Sequence, residues 1–288
     1  MTYSTLISVA QLRTLLASDQ PPLLFDVSFD LAQPAASAEQ YQQEHLPGAV
    51  YAHLEHDLSA QPDDTPASGG RHPLPSRERF AQWLSAQGLG NNRQVVVYDR
   101  NGCAFAGRLW WMLQWAGHEA VAVLDGGLSA WKAAGEALES GLAQPPVPAA
   151  FRLEPSLRFL ASVAQVLAAL GQPEQTLIDA RAPARYRGEV EPLDPVAGHI
   201  PGALNRPFTD NFAADGCFKP AALLRAEFEA LLAGRDPASV VHHCGSGVTA
   251  NPNLLAMEWA GLGKTTLFAG SWSEWCRDTG RPVARGAT

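Results

Sequence analysis

The chain has 288 residues, of which 46% are hydrophobic and 17% charged, so it carries enough apolar material for a sizeable core. This length favours two domains over one. The net charge of −8 argues against a general nucleic-acid binder, which would present a basic face. No apolar run approaches the roughly 20 residues that a membrane helix needs, so no membrane partner is expected either.

The N-terminal stretch MTYSTLISVAQLRTLL predicts a strand or turn that leads into a helix, without an export signal. The four cysteines are widely spaced and form no Cys-x-x-Cys pair: Cys103, Cys217, Cys244 and Cys276. This spacing fits free thiols in a reducing cytoplasm and gives no support to a disulfide framework. It also gives no support to a zinc site, so we expect neither a metal nor a dissociable cofactor.

Short apolar runs alternate with helix-length amphipathic segments along the whole chain. Buried strands are predicted at 23–27, 95–98 and 120–124 in the first half, and at 177–179, 240–243 and 266–268 in the second. Helices are predicted at 77–87, 107–115, 221–232 and 253–259. This alternation predicts an α/β fold with mostly parallel sheets that carry helices on both faces.

The two halves repeat each other in five matched blocks, in the same order and at offsets between 144 and 154. The pairs are LLFDVS with TLIDAR, EHLPGAV with GHIPGAL, VVVYDRNG with VVHHCGSG, WAGHEAV with WAGLGKT, and LDGGLSAW with FAGSWSEW. Such a repeat predicts a duplicated domain. The predicted domains are 1–140 and 153–288, joined by a Pro- and Ala-rich linker at 141–152.

These motifs resemble the two-domain rhodanese superfamily over essentially the whole chain. The resemblance is carried by the tandem H-[IL]-P-G-A blocks, a D-x-R strand end, and the loop Cys244-Gly-Ser-Gly-Val-Thr-Ala250 followed by GSWSEW. Within the superfamily, the loop is similar to that of the 3-mercaptopyruvate sulfurtransferases. The resemblance implies two rhodanese-like domains and transfer of sulfane sulfur by an enzyme.

Cys244 is the predicted nucleophile. It follows a predicted strand and opens a loop with two glycines just ahead of a helix, where backbone N–H groups and the helix dipole favour a thiolate and a bound anion. The loop residues Gly245, Gly247, Val248 and Thr249 are therefore predicted to bind substrate. The repeat places Asp99 opposite Cys244, so the first domain lacks the nucleophile; Cys103 stands opposite Val248 and is expected to be a buried small hydrophobe.

Three other functions compete for this loop. Cysteine-dependent phosphatases use Cys-x5-Arg, but the sixth residue after Cys244 is Ala250, so the phosphate clamp is absent. A non-enzymatic persulfide carrier or sensor is less well separated by sequence. Thiosulfate sulfurtransferases of the same superfamily usually carry basic residues after the cysteine, and here Gly245 and Ser246 stand in their place.

The resemblance also implies a relay that protonates the enolate left by 3-mercaptopyruvate. Ser246 matches the family's loop serine, His72 its histidine, and Glu55 its acidic residue, with Asp57 as the alternative. A carboxylate that orients a histidine allows the histidine to polarise a hydroxyl. Because His72 and Ser246 come from opposite halves of the chain, the site was expected in a cleft between the two domains.

Arg185, in DARAPARYRG, matches the arginine with which the family binds the substrate carboxylate. The family's second arginine falls at Leu193 or Asp194, so it is missing here, and Arg187 or Arg206 are the candidates to compensate. Arg181, at the D-x-R strand end, is expected to form a salt bridge within the fold. The predicted partners are a small anionic sulfur donor, with thiosulfate as the alternative to 3-mercaptopyruvate, and a thiol acceptor such as a thioredoxin-like protein, or cyanide.

Overall fold

The computed structural model describes residues 2–144 and 146–287. The chain forms two compact units, each of which includes a short segment from the other half of the sequence. Unit 1 contains Met1–Thr65, Pro75–Leu157 and Phe212–Phe218, and unit 2 contains Pro66–Leu74, Arg158–Asn211 and Lys219–Thr288. These units differ from the continuous division at 1–140, 141–152 and 153–288, which sequence reasoning drew. Pro145, in the predicted linker, lies outside the described residues.

Unit 1 is built on a five-stranded parallel sheet with the strand order β1-β5-β4-β2-β3. Its strands are β1 (Leu6–Ile7), β2 (Leu23–Asp26), β3 (Val50–Tyr51), β4 (Val95–Tyr98) and β5 (Val121–Leu124). Its helices are α1 (Val9–Leu16), α2 (Pro34–Gln43), α3 (Arg77–Ala86), α4 (Ala106–Trp115) and α5 (Gly127–Ala133).

Unit 2 is built on a second five-stranded parallel sheet with the order β6-β10-β9-β7-β8. Its strands are β6 (Phe159–Leu160), β7 (Thr176–Asp179), β8 (Leu204–Asn205), β9 (Val240–His243) and β10 (Thr266–Leu267). Its helices are α6 (Val163–Ala168), α7 (Pro183–Tyr186), α8 (Ala221–Leu232), α9 (Asn251–Trp259) and α10 (Ser271–Trp275), with 3₁₀ turns at Phe208–Asn211 and Pro237–Ser239.

The two sheets have the same order once the strands are numbered within each unit, which confirms the predicted duplication and the α/β class. The central strands are short and buried along their whole length, as strands of a covered parallel sheet are. All six predicted strands are present, within one residue of the predicted ends. Helix α9 begins at Asn251, two residues before the prediction, because Pro252 fits the first turn of a helix.

The N-terminal caps of the first helices of the two units are also alike. Ser8 caps α1 and Ser162 caps α6, in each case through a capping box with a glutamine three residues later. A hydrophobic core cluster packs in each unit, and it includes Trp131 in unit 1 and both Trp272 and Trp275 in unit 2. Among the described residues, none of the helices has the length and apolarity needed to cross a membrane.

In unit 2, β7 and β9 pair so that their last residues, Asp179 and His243, stand side by side. The residues that follow these strands therefore emerge at the carboxyl edge of the sheet, where ligands of open α/β sheets bind. Cys244 directly follows β9, and Arg181 lies two residues after the end of β7.

Candidate active site

The loop that begins at Cys244 is anchored to the start of α10. The Cys244 N–H donates to Ser271 Oγ at 3.1 Å, and the Cys244 carbonyl oxygen accepts from the Trp272 N–H at 3.0 Å. The Ser273 N–H donates to the carbonyl oxygen of Gly245 at 2.8 Å. Ser271 has a φ of +55°, which serine rarely adopts, so the surrounding packing fixes its hydroxyl under the Cys244 backbone.

Gly247 is the position in this loop where only glycine fits. Its φ is +73°, and a Cβ built there would lie 2.1 Å from the carbonyl oxygen of Ala269. The Asn251 amide then fixes the far side of the loop, because Nδ2 donates to the carbonyl oxygens of Gly247 and Val248 at 3.1 and 2.7 Å. The loop is therefore held rigidly from both ends, around a buried thiol.

The loop offers several backbone donors to a ligand. Within residues 2–144 and 146–287, the N–H groups of Gly245, Ser246, Val248 and Thr249 donate to no protein acceptor. Unpaired donors at a strand–helix loop form an anion-binding concavity.

The duplicated loop of unit 1 shows how an anion fits this backbone. Asp99 stands where Cys244 stands in unit 2, and its carboxylate accepts four backbone hydrogen bonds of 2.8–2.9 Å, from Asn101, Cys103, Phe105 and Ala106. Burial raises the pKa of Asp99, against the four N–H bonds that lower it. In the repeat, Ser246 and Val248 are the counterparts of Asn101 and Cys103, and their N–H groups are among those that donate to no protein acceptor within the described residues.

Ser246 and His72, which the resemblance assigns to one relay, are in contact. His72 Nδ1 lies 2.8 Å from Ser246 Oγ, and both residues are buried. His72 was expected to reach the loop from the first domain. Instead, the segment Pro66–Leu74 that carries it belongs to unit 2, so this pair forms within a single unit.

The His72 segment is fixed against α10 through its neighbours. The Arg71 N–H donates to Ser273 Oγ at 2.9 Å, and a Cβ built on Gly70, where φ is +92°, would lie 2.5 Å from the carbonyl oxygen of Gly270. The segment closes on itself through a hydrogen bond of 2.9 Å from the Leu74 N–H to Ser68 Oγ. Helix α10 therefore aligns both the cysteine loop and the histidine.

Glu55 and Asp57, the two candidates for the acidic partner of His72, lie in unit 1. Asp57 Oδ2 accepts a hydrogen bond of 2.8 Å from the His53 N–H, and burial raises the pKa of this carboxyl. The Glu55 N–H donates to His53 Nδ1 at 3.1 Å. The role of Glu55 beside His72 stays a prediction.

Arg185, the predicted carboxylate-binding arginine, lies beside the cysteine loop. It comes from α7, and a Cβ built on Gly245 would lie 3.4 Å from Arg185 Nη1. Its Nη2 donates to Glu191 Oε1 at 2.6 Å and lies 3.4 Å from Asp194 Oδ2.

Sequence reasoning missed a second guanidinium in the site, that of Arg71. A Cβ built on Gly245 would lie 3.3 Å from Arg71 Nη2, and Arg71 Nη1 forms an ion pair with Asp194 Oδ1. The available signal was its position in GGRHPLP, directly before His72. The two arginines that were expected to compensate for Leu193 have other partners: Arg187 pairs with Glu189, and Arg206 pairs with Glu227.

Arg181 forms the predicted salt bridge of the fold. Its Nη2 lies 2.6 Å from Asp179 Oδ2, and its guanidinium lies over the Trp272 ring at 4.9 Å from the centroid. Burial would raise the pKa of Asp179, but the adjacent Arg181 outweighs it and the pKa is lowered. This pair fixes the end of β7 beside β9.

His242 and His243, which precede the nucleophile, are buried. Burial lowers the pKa of His242 to about 3 and also lowers the pKa of His243. His242 Nε2 lies 3.2 Å from the Met257 sulfur, whereas both ring nitrogens of His243 lack a hydrogen-bond partner among the described residues. Across the described chain, no group of three or more His, Cys, Asp or Glu side chains is placed to hold a metal ion.

A family model described as the rhodanese-like domain matches residues 8–134 and 162–278. The chain belongs to the rhodanese superfamily. Both the predicted family and the predicted fold of two rhodanese-like domains are thereby confirmed.

Relatives match this rhodanese-superfamily chain over nearly its full length. A Pseudomonas aeruginosa protein named "Probable 3-mercaptopyruvate sulfurtransferase" is 48% identical, over 99% of this chain and 100% of its own. A Mycobacterium tuberculosis protein named "Putative thiosulfate sulfurtransferase SseB" is 41% identical, over 98% of this chain and 97% of its own. The crystal structure of the Escherichia coli 3-mercaptopyruvate sulfotransferase SseA superposes with a TM-score of 0.78 at 31% identity, over 94% of this chain and 100% of SseA.

Proposed function

We propose that this protein takes sulfane sulfur from 3-mercaptopyruvate onto Cys244 and passes it to a thiol, or to cyanide in an assay. The enzyme is a sulfurtransferase, as are its full-length relatives. The observation that carries the choice of donor is the contact of 2.8 Å between Ser246 Oγ and His72 Nδ1, two residues from the nucleophile. A hydroxyl polarised by a buried histidine suits a donor whose leaving group must be protonated.

In the first half-reaction the Cys244 thiolate attacks the sulfur of 3-mercaptopyruvate. A sulfur–sulfur bond forms, the carbon–sulfur bond breaks, and its electron pair remains on the pyruvate fragment as an enolate. Ser246, held by His72, relays the proton of the donor's thiol to the enolate, which becomes pyruvate, so that Ser246 ends the step with its own proton restored. Cys244 is left as a persulfide, whose negative charge the N–H groups of Ser246 and Val248 can accept.

In the second half-reaction a thiolate attacks the outer sulfur of the persulfide. The new persulfide leaves on the acceptor, and the Cys244 thiolate is restored; cyanide gives thiocyanate in the same way. The acceptor we propose is a reduced thioredoxin-like protein. A cytoplasmic location, predicted from the cysteine spacing, forms part of this proposal.

Replacing Cys244 by Ser should abolish sulfur transfer from 3-mercaptopyruvate to cyanide, because the hydroxyl group of serine cannot form a persulfide. The matched control is Cys103→Ser in unit 1, where burial raises the pKa of the thiol well above its usual range, and transfer should continue. Turnover retained by Cys244→Ser would refute its role as the nucleophile.

Thiosulfate is the alternative donor, and two observations favour it. Arg71 and Arg185 bring positive charge to Gly245, which suits a dianion, and the M. tuberculosis relative is named for thiosulfate. Rates with 3-mercaptopyruvate and thiosulfate, measured side by side on the purified protein, decide between the two. A preference for thiosulfate would replace the proposed donor, and turnover of neither donor would favour a persulfide carrier.

A further inference from the structure

Two guanidiniums converge on one carboxylate at the edge of the cysteine loop. Asp194 pairs with Arg71 through Oδ1 and lies 3.4 Å from Arg185 Nη2 through Oδ2. Both arginines also approach Gly245, with nitrogens 3.3 and 3.4 Å from the position of its Cβ. The side chain of Asp194 is only 4% exposed, so this carboxylate is held inside the site.

We propose that Arg71 is the second arginine of the donor-binding site and that, together with Arg185, it binds the carboxylate of the sulfur donor. The inference rests on the proposed function and identifies the residue that supplies the charge missing at Leu193. Arg71 comes from the other half of the sequence than Leu193, so alignment of the second half alone does not find it.

Asp194 shows how a carboxylate fits between Arg71 and Arg185. A carboxylate bridged by two guanidiniums is the arrangement in which arginine recognises carboxylates most strongly. Glu191, bound to Arg185 at 2.6 Å, holds that arginine in place from the other side. With Arg181, which lies 3.3 Å from Glu191 Oε2, and its partner Asp179, the site contains three positive and three negative side chains, so loss of Asp194 would leave a net positive site beside Gly245.

The backbone explains why Arg71 is available for this task. Its N–H is fixed to Ser273 Oγ at 2.9 Å, and the next residue, His72, is fixed to Ser246. The segment at 66–74 thus carries both His72, a member of the proposed relay, and Arg71, the proposed second guanidinium. The Arg71 side chain is 26% exposed, so it lies at the mouth of the site, where a donor enters.

The test compares the alkylation of Cys244 by iodoacetate and by iodoacetamide. The two reagents have nearly the same shape, but only iodoacetate carries a carboxylate, so the ratio of their rates measures anion recognition beside the thiol. The ratio does not depend on which donor the enzyme uses. The variants are Arg71→Met and Asp194→Asn, and Arg225→Met serves as the control because Arg225 pairs with Glu229 on the exposed face of α8.

We expect Arg71→Met to lower the iodoacetate-to-iodoacetamide ratio by about tenfold, the effect of one charged hydrogen bond. The same variant should raise the KM for 3-mercaptopyruvate by about tenfold, a change equivalent to ~1.4 kcal/mol. Asp194→Asn should shift the ratio in the opposite direction, and Arg225→Met should leave it unchanged. Opposite signs from two neighbouring changes cannot arise from general damage to the fold.

A ratio for Arg71→Met equal to that of Arg225→Met would overturn the proposal, even if the unmodified enzyme turns over 3-mercaptopyruvate. If Arg71→Met lowers the iodoacetate-to-iodoacetamide ratio but the unmodified enzyme does not turn over 3-mercaptopyruvate, the anion site is supported and the proposed donor is rejected. Arg71→Lys keeps the positive charge but lacks the paired N–H donors of a guanidinium, and it replaces Arg71→Met as the test if that variant does not fold. It should give an intermediate ratio, and a ratio equal to that of the unmodified protein would count against recognition by a guanidinium.

Discussion

Replacing Asp99 by Asn tests whether the strand–helix loop of this fold is built around a negative charge. The Asp99 carboxylate accepts two N–H groups on each oxygen, from Asn101 and Cys103 on Oδ1 and from Phe105 and Ala106 on Oδ2. Asparagine keeps one oxygen, so two of these four bonds survive. Its NH₂ group then faces two N–H donors, which cannot be satisfied in a buried site.

The cost follows from these contacts. Each buried donor left without a partner costs about 1–3 kcal/mol, so two cost about 2–6 kcal/mol. The substitution also removes the burial penalty of the charge, which is the main cause of the raised pKa of Asp99. We therefore expect a net loss of about 2–4 kcal/mol, a large share of the ~5–15 kcal/mol by which a folded protein is stable.

Differential scanning calorimetry measures this loss, because two units can unfold in separate transitions. The control is Asp63→Asn, which removes an exposed carboxylate of the same unit and should change the stability by less than about 0.5 kcal/mol. If Asp99→Asn and Asp63→Asn unfold at the same temperature, the carboxylate does not hold the loop, and the comparison between the loops of Asp99 and Cys244 loses its basis.

Two further substitutions test the chemistry and the burial of unit 2. Ser246→Ala should lower kcat/KM for 3-mercaptopyruvate by about 100-fold, as loss of a proton-transfer group does. It should lower kcat/KM for thiosulfate much less, because thiosulfate leaves no enolate. Equal losses with the two donors in the cyanide assay would argue against the relay. His242→Leu should flatten the pH dependence of stability. The pKa of His242 is lowered to about 3 by burial, so only the unfolded chain gains a proton as pH falls from about 6.5, and the free energy of unfolding falls by up to ~1.4 kcal/mol per pH unit until the folded pKa is reached. Urea unfolding at pH 7 and pH 5.5 measures this slope, and an identical slope in the variant would show that His242 is not buried in its neutral form.

The repeat and the apolar runs allowed the fold to be predicted, because central strands of a parallel sheet read as short continuous hydrophobic stretches. The runs at β4 and β9 were found with both ends correct. Strands such as β3 and β8 were missed, since two residues carry no periodicity.

Residues of the candidate site could be predicted only where a local sequence motif indicates their role. Cys244 and Ser246 lie within a single loop, and His72 was assigned through the resemblance. Arg71 could not be found in this way, because its role depends on where the segment before His72 lies in space. Nothing in local sequence shows that residues 66–74 belong to unit 2, since that assignment comes from contacts with residues about 200 positions away, such as Ser273.

The duplication supplies an internal reference for the chemistry. The N–H groups of Asn101 and Cys103 in unit 1 correspond to those of Ser246 and Val248 in unit 2. In unit 1 they bind the chain's own Asp99 carboxylate, whereas in the described part of unit 2 they donate to no protein acceptor. At the proposed donor-binding edge of unit 2 the space between two cations is filled instead, because there Asp194 already lies between Arg71 and Arg185. Under the proposed role of Arg71 and Arg185, a donor brings a negative charge that competes with Asp194, as well as a sulfur that reaches Cys244. Competition with Asp194 for the two arginines would favour a donor with a small carboxylate that places its sulfur beside the loop.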